Sequence, residues 1–223
     1  MTPKILLVAP HADDELIGAG GTLLRWKSEG HQILLVLVAS STIKHRHHTA
    51  KTSKSVREKE FLEAARLLST EPPKLLAMED SKLDCAPLQT LVQELDCILE
   101  NWAPGTILYP EPSYHQDHQF VNRACTAALR PTKKFLPRRI LTYEIPTSTW
   151  TGSEPAFIPN FYVEISNQVD RKLEIFKEVY RSQFTEVERC KLAAQGILNH
   201  AVYRGMESGF PAAEAFRLLQ ERV

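Results

Sequence analysis

Two short stretches of this 223-residue chain carry residue types dense enough to do chemistry. Pro10-His11-Ala12-Asp13-Asp14-Glu15 sets one imidazole and three carboxylates side by side, and Pro112-Ser113-Tyr114-His115-Gln116-Asp117-His118 adds two imidazoles and another carboxylate. Carboxylates crowded at the end of a buried strand are costly unless a cation shares their charge. A catalytic divalent metal needs about three protein ligands and one open position, and mixed imidazole and carboxylate ligation suits zinc, iron(II) or cobalt(II). His11, Asp14 and one histidine of the second stretch supply such a set. The competing reading is helix capping, since Asp13 or Asp14 could cap a helix beginning near Glu15. Capping accounts for one cluster alone better than for two clusters at two strand ends.

The elements that must position these residues follow from hydrophobic patterning. Residues 5–9 (ILLVA) and 33–38 (ILLVLV) are near-continuous β-favouring runs, the mark of strands buried on both faces of a parallel sheet. Between them Leu16, Ile17, Gly20, Leu23, Leu24 and Lys27 recur at helical spacing, giving a β-α-β unit over residues 4–38. The alternation continues with a helix around 54–69, a strand around 74–78, a helix around 88–101 and a strand around 106–109. A helix beginning near Gln119, a strand around 139–145, a strand candidate at 161–165 and helices near 168–181 and 186–202 follow. This pattern predicts an α/β fold, a single Rossmann-like domain over 1–223 with a mostly parallel sheet and helices on both faces. In a sheet of order 3-2-1-4-5, strands one and four are neighbours at the topological switch point, so both clusters face one crevice. The polar stretch 40–53 and the Pro-containing stretch 146–160 read as long loops around a ligand site.

Composition narrows the function classes. Lys plus Arg and Asp plus Glu number 27 each, so no global positive field favours nucleic acid. Cys85, Cys97, Cys125 and Cys190 form no C-x-x-C pair, and read as reduced thiols of a cytoplasmic protein. The apolar run 5–9 is too short for a signal-peptide core, and no later stretch approaches the roughly 18 residues of a membrane span.

His11-Ala12-Asp13-Asp14-Glu15 followed by Gly20-Gly21-Thr22, with His115-Gln116-Asp117-His118 later, resembles the PIG-L/LmbE-like deacetylases, whose hallmarks are H-P-D-D-E and H-P-D-H. The likeness extends to Arg57-Glu58, to Asp80 near the third strand, to Tyr180-Arg181-Ser182-Gln183, and to Arg204-Gly205 with Ala213-Glu214-Ala215-Phe216. Ala12 and Gln116 stand where the family has proline, and Ser113 where it often has an aromatic hydroxyl, with Tyr114 beside it. The resemblance implies that His11, Asp14 and His118 hold one divalent metal (Zn2+, with Fe2+ or Co2+ as alternatives), that Asp13 is the general base, and that His115 sits near the developing oxyanion. Asp117 would orient the His115 ring or raise its pKa. Arg57, Asp80 and Tyr114 are the candidate substrate contacts. The implied reaction is removal of an N-acyl group, acetyl above all, from an amino sugar or its conjugate. No nucleic-acid partner and no membrane span is expected, and self-association is left open.

Other signals carry less. Gly18-Ala19-Gly20-Gly21 lacks the third glycine of a dinucleotide fingerprint, where Leu23 stands, and lies inside the first helix. Close helix–sheet packing explains those glycines. His45-Arg46-His47-His48 reads as a basic loop at the cleft rim or as a second metal site. Arg57 reaches a substrate hydroxyl or phosphate, or is an exposed helix residue pairing with Glu60. A catalytically idle sugar-binding module would require loss of the base or a ligand, yet Asp13 and His118 are both present.

Overall fold

The computed structural model describes residues 3–40, 53–133, 135–146, 157–184 and 186–223. Seven strands and six helices follow in the order β1 (Lys4–Ala9), α1 (Asp14–Ser28), β2 (Gln32–Ala39), α2 (Lys54–Leu67), β3 (Lys74–Met78), α3 (Leu88–Trp102), β4 (Thr106–Pro110), α4 (Gln116–Ala128), β5 (Arg139–Tyr143), β6 (Phe161–Glu164), α5 (Val169–Val179), α6 (Val187–Ser208) and β7 (Ala213–Glu221). Short 3₁₀ turns lie at Leu83–Cys85 and Tyr180–Gln183.

All seven strands join one sheet of order β3-β2-β1-β4-β5-β7-β6. The first five are parallel, with Leu7 opposite Leu35 on β2 and Leu108 on β4. The alternation of side chains along β1 sorts them into two cores. Ile5, Leu7 and Ala9 pack with Leu16, Leu23, Phe61 and Phe176 from α1, α2 and α5, while Leu6 and Val8 pack with Leu91, Leu95, Val121 and Ala124 from α3 and α4. That double burial is why these strands read as continuous apolar runs.

The sheet departs from the expected one at its far edge. The sequence pattern showed no strand at 213–221, yet β7 pairs antiparallel with β5 and carries β6, also antiparallel, outside it. The final helix runs to Ser208, ending at Gly209 with φ of 80°, instead of stopping near 202. Helix α4 begins at Gln116 rather than near Gln119, which brings Asp117 and His118 into its first turn.

Gly18 and Gly21 lie inside α1 against the sheet. A Cβ on Gly18 would overlap the Tyr143 ring, and one on Gly21 would come within 2.7 Å of Ile165 Cδ1. The glycines are thus packing residues, as read, and not a nucleotide turn. At Gly21 the helix also receives a buried ion pair. Glu214 of β7 accepts from the backbone N–H groups of Gly21 (2.9 Å) and Thr22 (2.7 Å), and Lys172 donates to Glu214 (2.6 Å) and to the Ile17 carbonyl (2.8 Å). Ile17 C=O and Gly21 N–H are the groups an uninterrupted helix pairs with each other. No helix among the described residues is long and apolar enough to cross a membrane.

Candidate metal centre at the sheet switch point

β1 connects through α1 to β2 on one side, and its neighbour β4 connects through α4 to β5 on the other. The carboxyl ends of β1 and β4 therefore flank the crevice at which open α/β sheets bind ligands. His11 to Asp14 leave β1 in a tight turn, with the His11 backbone N–H held by Asp14 Oδ2 at 2.9 Å. Asp13 occupies the position before α1 with φ 117° and ψ −27°, a conformation few side-chain-bearing residues adopt, and it makes no capping hydrogen bond. Its carboxylate is not what caps the helix, so the capping account of the first cluster fails at this residue.

His11, Asp14 and His118 are buried, and each offers one ligand atom within 4.8 Å of the others. Asp14 Oδ2 lies 3.2 Å from His11 Nδ1 and 3.4 Å from His118 Nε2. The far nitrogens are held from behind. His11 Nε2 meets Asp117 Oδ2 at 3.0 Å, and His118 Nδ1 meets Ser113 Oγ at 3.2 Å. Metal-ligating histidines characteristically rest their second nitrogen on a carboxylate or another polar group in this way. Imidazole, imidazole and carboxylate drawn together, with both imidazoles braced from outside, is a donor set that zinc, iron(II) or cobalt(II) takes.

The charges agree. Burial disfavours the His11 imidazolium, yet the hydrogen bonds with Asp117 and Asp14 overcome it and raise its pKa to about 10. Burial likewise opposes ionisation of Asp14, but the charge of His118 and contacts with both histidines hold it far below the usual carboxylate range. Burial and the Asp14 charge push Asp13 well up, with Arg57 and His11 opposing. A pocket so rich in acid that an imidazole keeps its proton is one in which a cation is favoured.

In the second cluster Asp117 is hydrogen-bonded through its carboxylate to His11 and to the backbone N–H groups of Ser81 (2.7 Å) and Leu83 (3.2 Å), while its charge acts to raise the pKa of the His115 ring, the expected influence by charge. His115 Nδ1 instead accepts from the Asp117 backbone N–H at 3.3 Å, so the neutral ring carries its proton on Nε2. Burial, then the charges of His11 and His118, lower the His115 pKa. Its ring stacks 5.0 Å from that of His118 and meets the His11 ring edge-on at 4.8 Å. Tyr114 is half exposed, its ring 6.4 Å from that of His115.

Arg57 is buried rather than exposed, and its ion pair is with Asp80 (3.5 Å), whose other oxygen lies 3.8 Å from His11 Nε2. Arg57 Nε is buried with no hydrogen-bond partner among the described residues. The His45–His48 stretch lies outside the described residues, as does most of the loop expected over 146–160.

A supporting layer went unassigned from the sequence, although its residues stand in the quoted motifs. Tyr180 donates to Glu15 at 2.5 Å, Glu15 in turn accepts from the Asp13 backbone N–H at 3.1 Å, and Gln183 donates to the Ala12 carbonyl at 3.1 Å. Ser182 reaches Glu60. Burial raises the Glu15 pKa to about 7. These bonds fix the turn that carries Asp13 in its unusual conformation.

A sequence profile for GlcNAc-PI de-N-acetylases (PIG-L) matches residues 6–129, more than half of the chain and both motifs. The chain belongs to the PIG-L family. It is similar to a probable N-acetyl-α-D-glucosaminyl L-malate deacetylase of Bacillus cereus, 27% identical over 58% of this chain and 62% of that one, so that match spans less than two thirds of the relative's length. It is also similar to the diacetylchitobiose deacetylase of Thermococcus kodakarensis, 25% identical over 97% of this chain and 83% of the relative. Among solved structures a conserved protein of Thermus thermophilus superposes with a TM-score of 0.77 at 28% identity, covering 98% and 96% of the two chains. The span matched by the profile contains both stretches that converge at the switch point, and the likeness in fold covers the chain beyond it.

Proposed function

We propose that this PIG-L chain is a metal-dependent hydrolase that removes an acetyl group from the nitrogen of an amino sugar or its conjugate. The observation that carries the reading is the convergence of His11 Nδ1, Asp14 Oδ2 and His118 Nε2 beside a carboxylate, Asp13, that serves no capping role. The named activities of the relatives, both deacetylases of N-acetylglucosamine derivatives, supply the substrate class. Zinc is the metal assigned, with iron(II) or cobalt(II) as substitutes of the same ligand preference. When bound, the divalent cation supplies Lewis-acid polarisation of the scissile carbonyl and acidifies the attacking water.

The chain's own groups do the rest. His11 and His118 present neutral nitrogens to the cation because Asp117 and Ser113 take up their opposite N–H groups. Asp13, one residue from the ligand Asp14 and not tied to the helix end, accepts the proton of the attacking water. His115, with its proton on Nε2, donates a hydrogen bond to the oxygen of the tetrahedral intermediate, and the proton that Asp13 took from the water passes to the departing amine. Arg57 offers its unpaired Nε, and Asp80 its carboxylate, to sugar hydroxyls. The test is acetate release from N-acetylglucosamine and its conjugates by protein stripped and reloaded with each metal. Activity independent of metal, or full metal occupancy in His118→Ala by elemental analysis, refutes the assignment.

A further inference from the structure

Asp13 also lines a cleft of about 530 Å3, in the size range of sites for whole small molecules and far larger than an acetyl group needs. The walls are Ile17 of α1, Phe176 of α5, Phe184, and Leu192, Gly196 and Ile197 of α6, with Arg189 as the charged residue besides Asp13 among the described lining. Apart from Asp13 and Arg189, the described side chains of these walls are apolar and offer sugar hydroxyls no partner. The polar groups that suit them, Arg57 and Asp80, approach His11 from α2 and the end of β3 instead. The site is two-sided, with polar groups on one side and hydrocarbon on the other.

Gly196 supplies an independent observation. It stands in the interior of a 22-residue helix, where glycine costs backbone entropy relative to alanine. At Gly18, Gly21 and Gly205 a Cβ would collide with neighbouring atoms, so packing explains those glycines. Among the described residues nothing lies within 4 Å of a Cβ added at Gly196. What the missing side chain preserves is open cleft. Leu192, one turn earlier on the same lining, leaves 73% of its surface exposed, an apolar side chain with room for a ligand to cover it.

We propose that this cleft binds a hydrocarbon substituent of the substrate, so that the enzyme acts on amino-sugar amides that carry an alkyl or aryl group as well as the sugar. The proposal rests on the deacetylase reading and deepens it. The hydrocarbon has two chemical sources: an aglycone on the anomeric oxygen, or an N-acyl chain longer than acetyl. Two substrate series separate them, alkyl glycosides of N-acetylglucosamine and N-acyl glucosamines, each from one to eight carbons, with amine release measured on the metal-loaded full chain.

In one series kcat/KM rises by about two- to fourfold per added methylene until the cleft is filled, the gain expected from partial to full burial of each CH₂. The series that rises identifies the source. Gly196→Leu and Gly196→Phe, which place hydrocarbon in the cleft, flatten the rise, and Lys191→Leu, exposed on the same helix but not in the lining, keeps it. Two flat series, or a rise undiminished in both Gly196 variants, overturns the proposal. Binding of octyl glucoside by calorimetry gives a readout independent of turnover. Binding that Gly196→Phe abolishes, with no amine released from any substrate, overturns the deacetylase reading alone. No binding and no chain-length effect, with acetate still released from N-acetylglucosamine, overturns the cleft assignment alone.

Discussion

Replacing Asp13 separates its chemical role from its structural cost. At φ 117° and ψ −27° this residue is in a sparsely populated region, which costs about 1–3 kcal/mol. Glycine adopts such a conformation freely but loses about 0.5–1 kcal/mol of backbone entropy on folding. Asp13→Gly should therefore stabilise the metal-free protein by roughly 0.5–2 kcal/mol net, a rise in Tm of about 1–8 °C for a chain of this length. Asp13→Asn keeps the shape, and asparagine tolerates positive φ better than most residues, so its stability should stay near that of the wild type. Its kcat should fall by about a hundred- to ten-thousand-fold, the worth of a general base, with a much smaller change in KM and with metal retained. The assays are thermal unfolding in chelator and acetate release at saturating metal. If Asp13 were instead a structural cap, its replacement by alanine would cost about 1 kcal/mol and the asparagine variant would remain active. A destabilised glycine variant together with an active asparagine variant would refute both halves of the reasoning.

The remaining predictions concern groups that hold the site in place. Asp117→Asn should weaken metal binding by about 10–100-fold, because its carboxylate braces His11, whereas a residue acting on His115 would shift the pH–rate profile at unchanged metal affinity; competition with a chromogenic chelator decides. Glu144 accepts both ends of the Arg204 guanidinium (2.7 and 2.9 Å) and lies 3.1 Å from His200; burial opposes its ionisation, yet these contacts hold its pKa below the usual carboxylate value. A depressed folded pKa contributes stability above the unfolded value, about 4.3, that is lost as pH falls through the folded one, so the urea midpoint of the wild type should drop more steeply below about pH 4.3 than that of Glu144→Gln. Glu214→Ala leaves the Lys172 ammonium buried and the Gly21 and Thr22 N–H groups unpaired, and should cost about 3–5 kcal/mol by denaturant unfolding; a loss under about 1 kcal/mol would show that the pair does not hold α1.

How far the sequence spoke depended on whether a residue's environment was local. β1 and β2 were legible because both faces are buried and nearly every residue is apolar. β7 was not. It opens Ala213-Glu214-Ala215-Phe216, and the polar second residue points into the core to meet Lys172, so its alternation reads as neither strand face. The start of α4 was displaced by three residues because its cap is an imidazole, His115, rather than one of the usual hydroxyl or carboxamide residues. The proposed ligand triple was legible because each member sits in a motif that follows a strand. The partner of Asp117 was not, since the contact joins residues 106 positions apart and spacing favours the neighbour two residues away. Arg57 read equally as a substrate contact or a solvated helix charge, and its burial is made tolerable by carboxylates from separate parts of the chain, Asp80 at 3.5 Å with Asp13 and Glu60 nearby.

The carboxylates of the cluster divide by how they are held. Asp14 takes the His11 N–H, Glu15 takes the Asp13 N–H, and Asp117 takes those of Ser81 and Leu83. Each bond to a backbone donor fixes an orientation and lowers the cost of burying the charge. Asp13 is the exception: its own N–H goes to Glu15, and its carboxylate makes no capping bond at the helix it precedes. In the proposed reaction a ligand must not move when a cation binds, whereas a proton acceptor changes its charge within one turnover, which rigid donors to its anionic form would hinder. On that proposal the backbone strain at Asp13 serves the proton transfer assigned to it. Tyr180 through Glu15, and Gln183 through Ala12, clamp the turn on both sides of the residue and leave its carboxylate off the helix end.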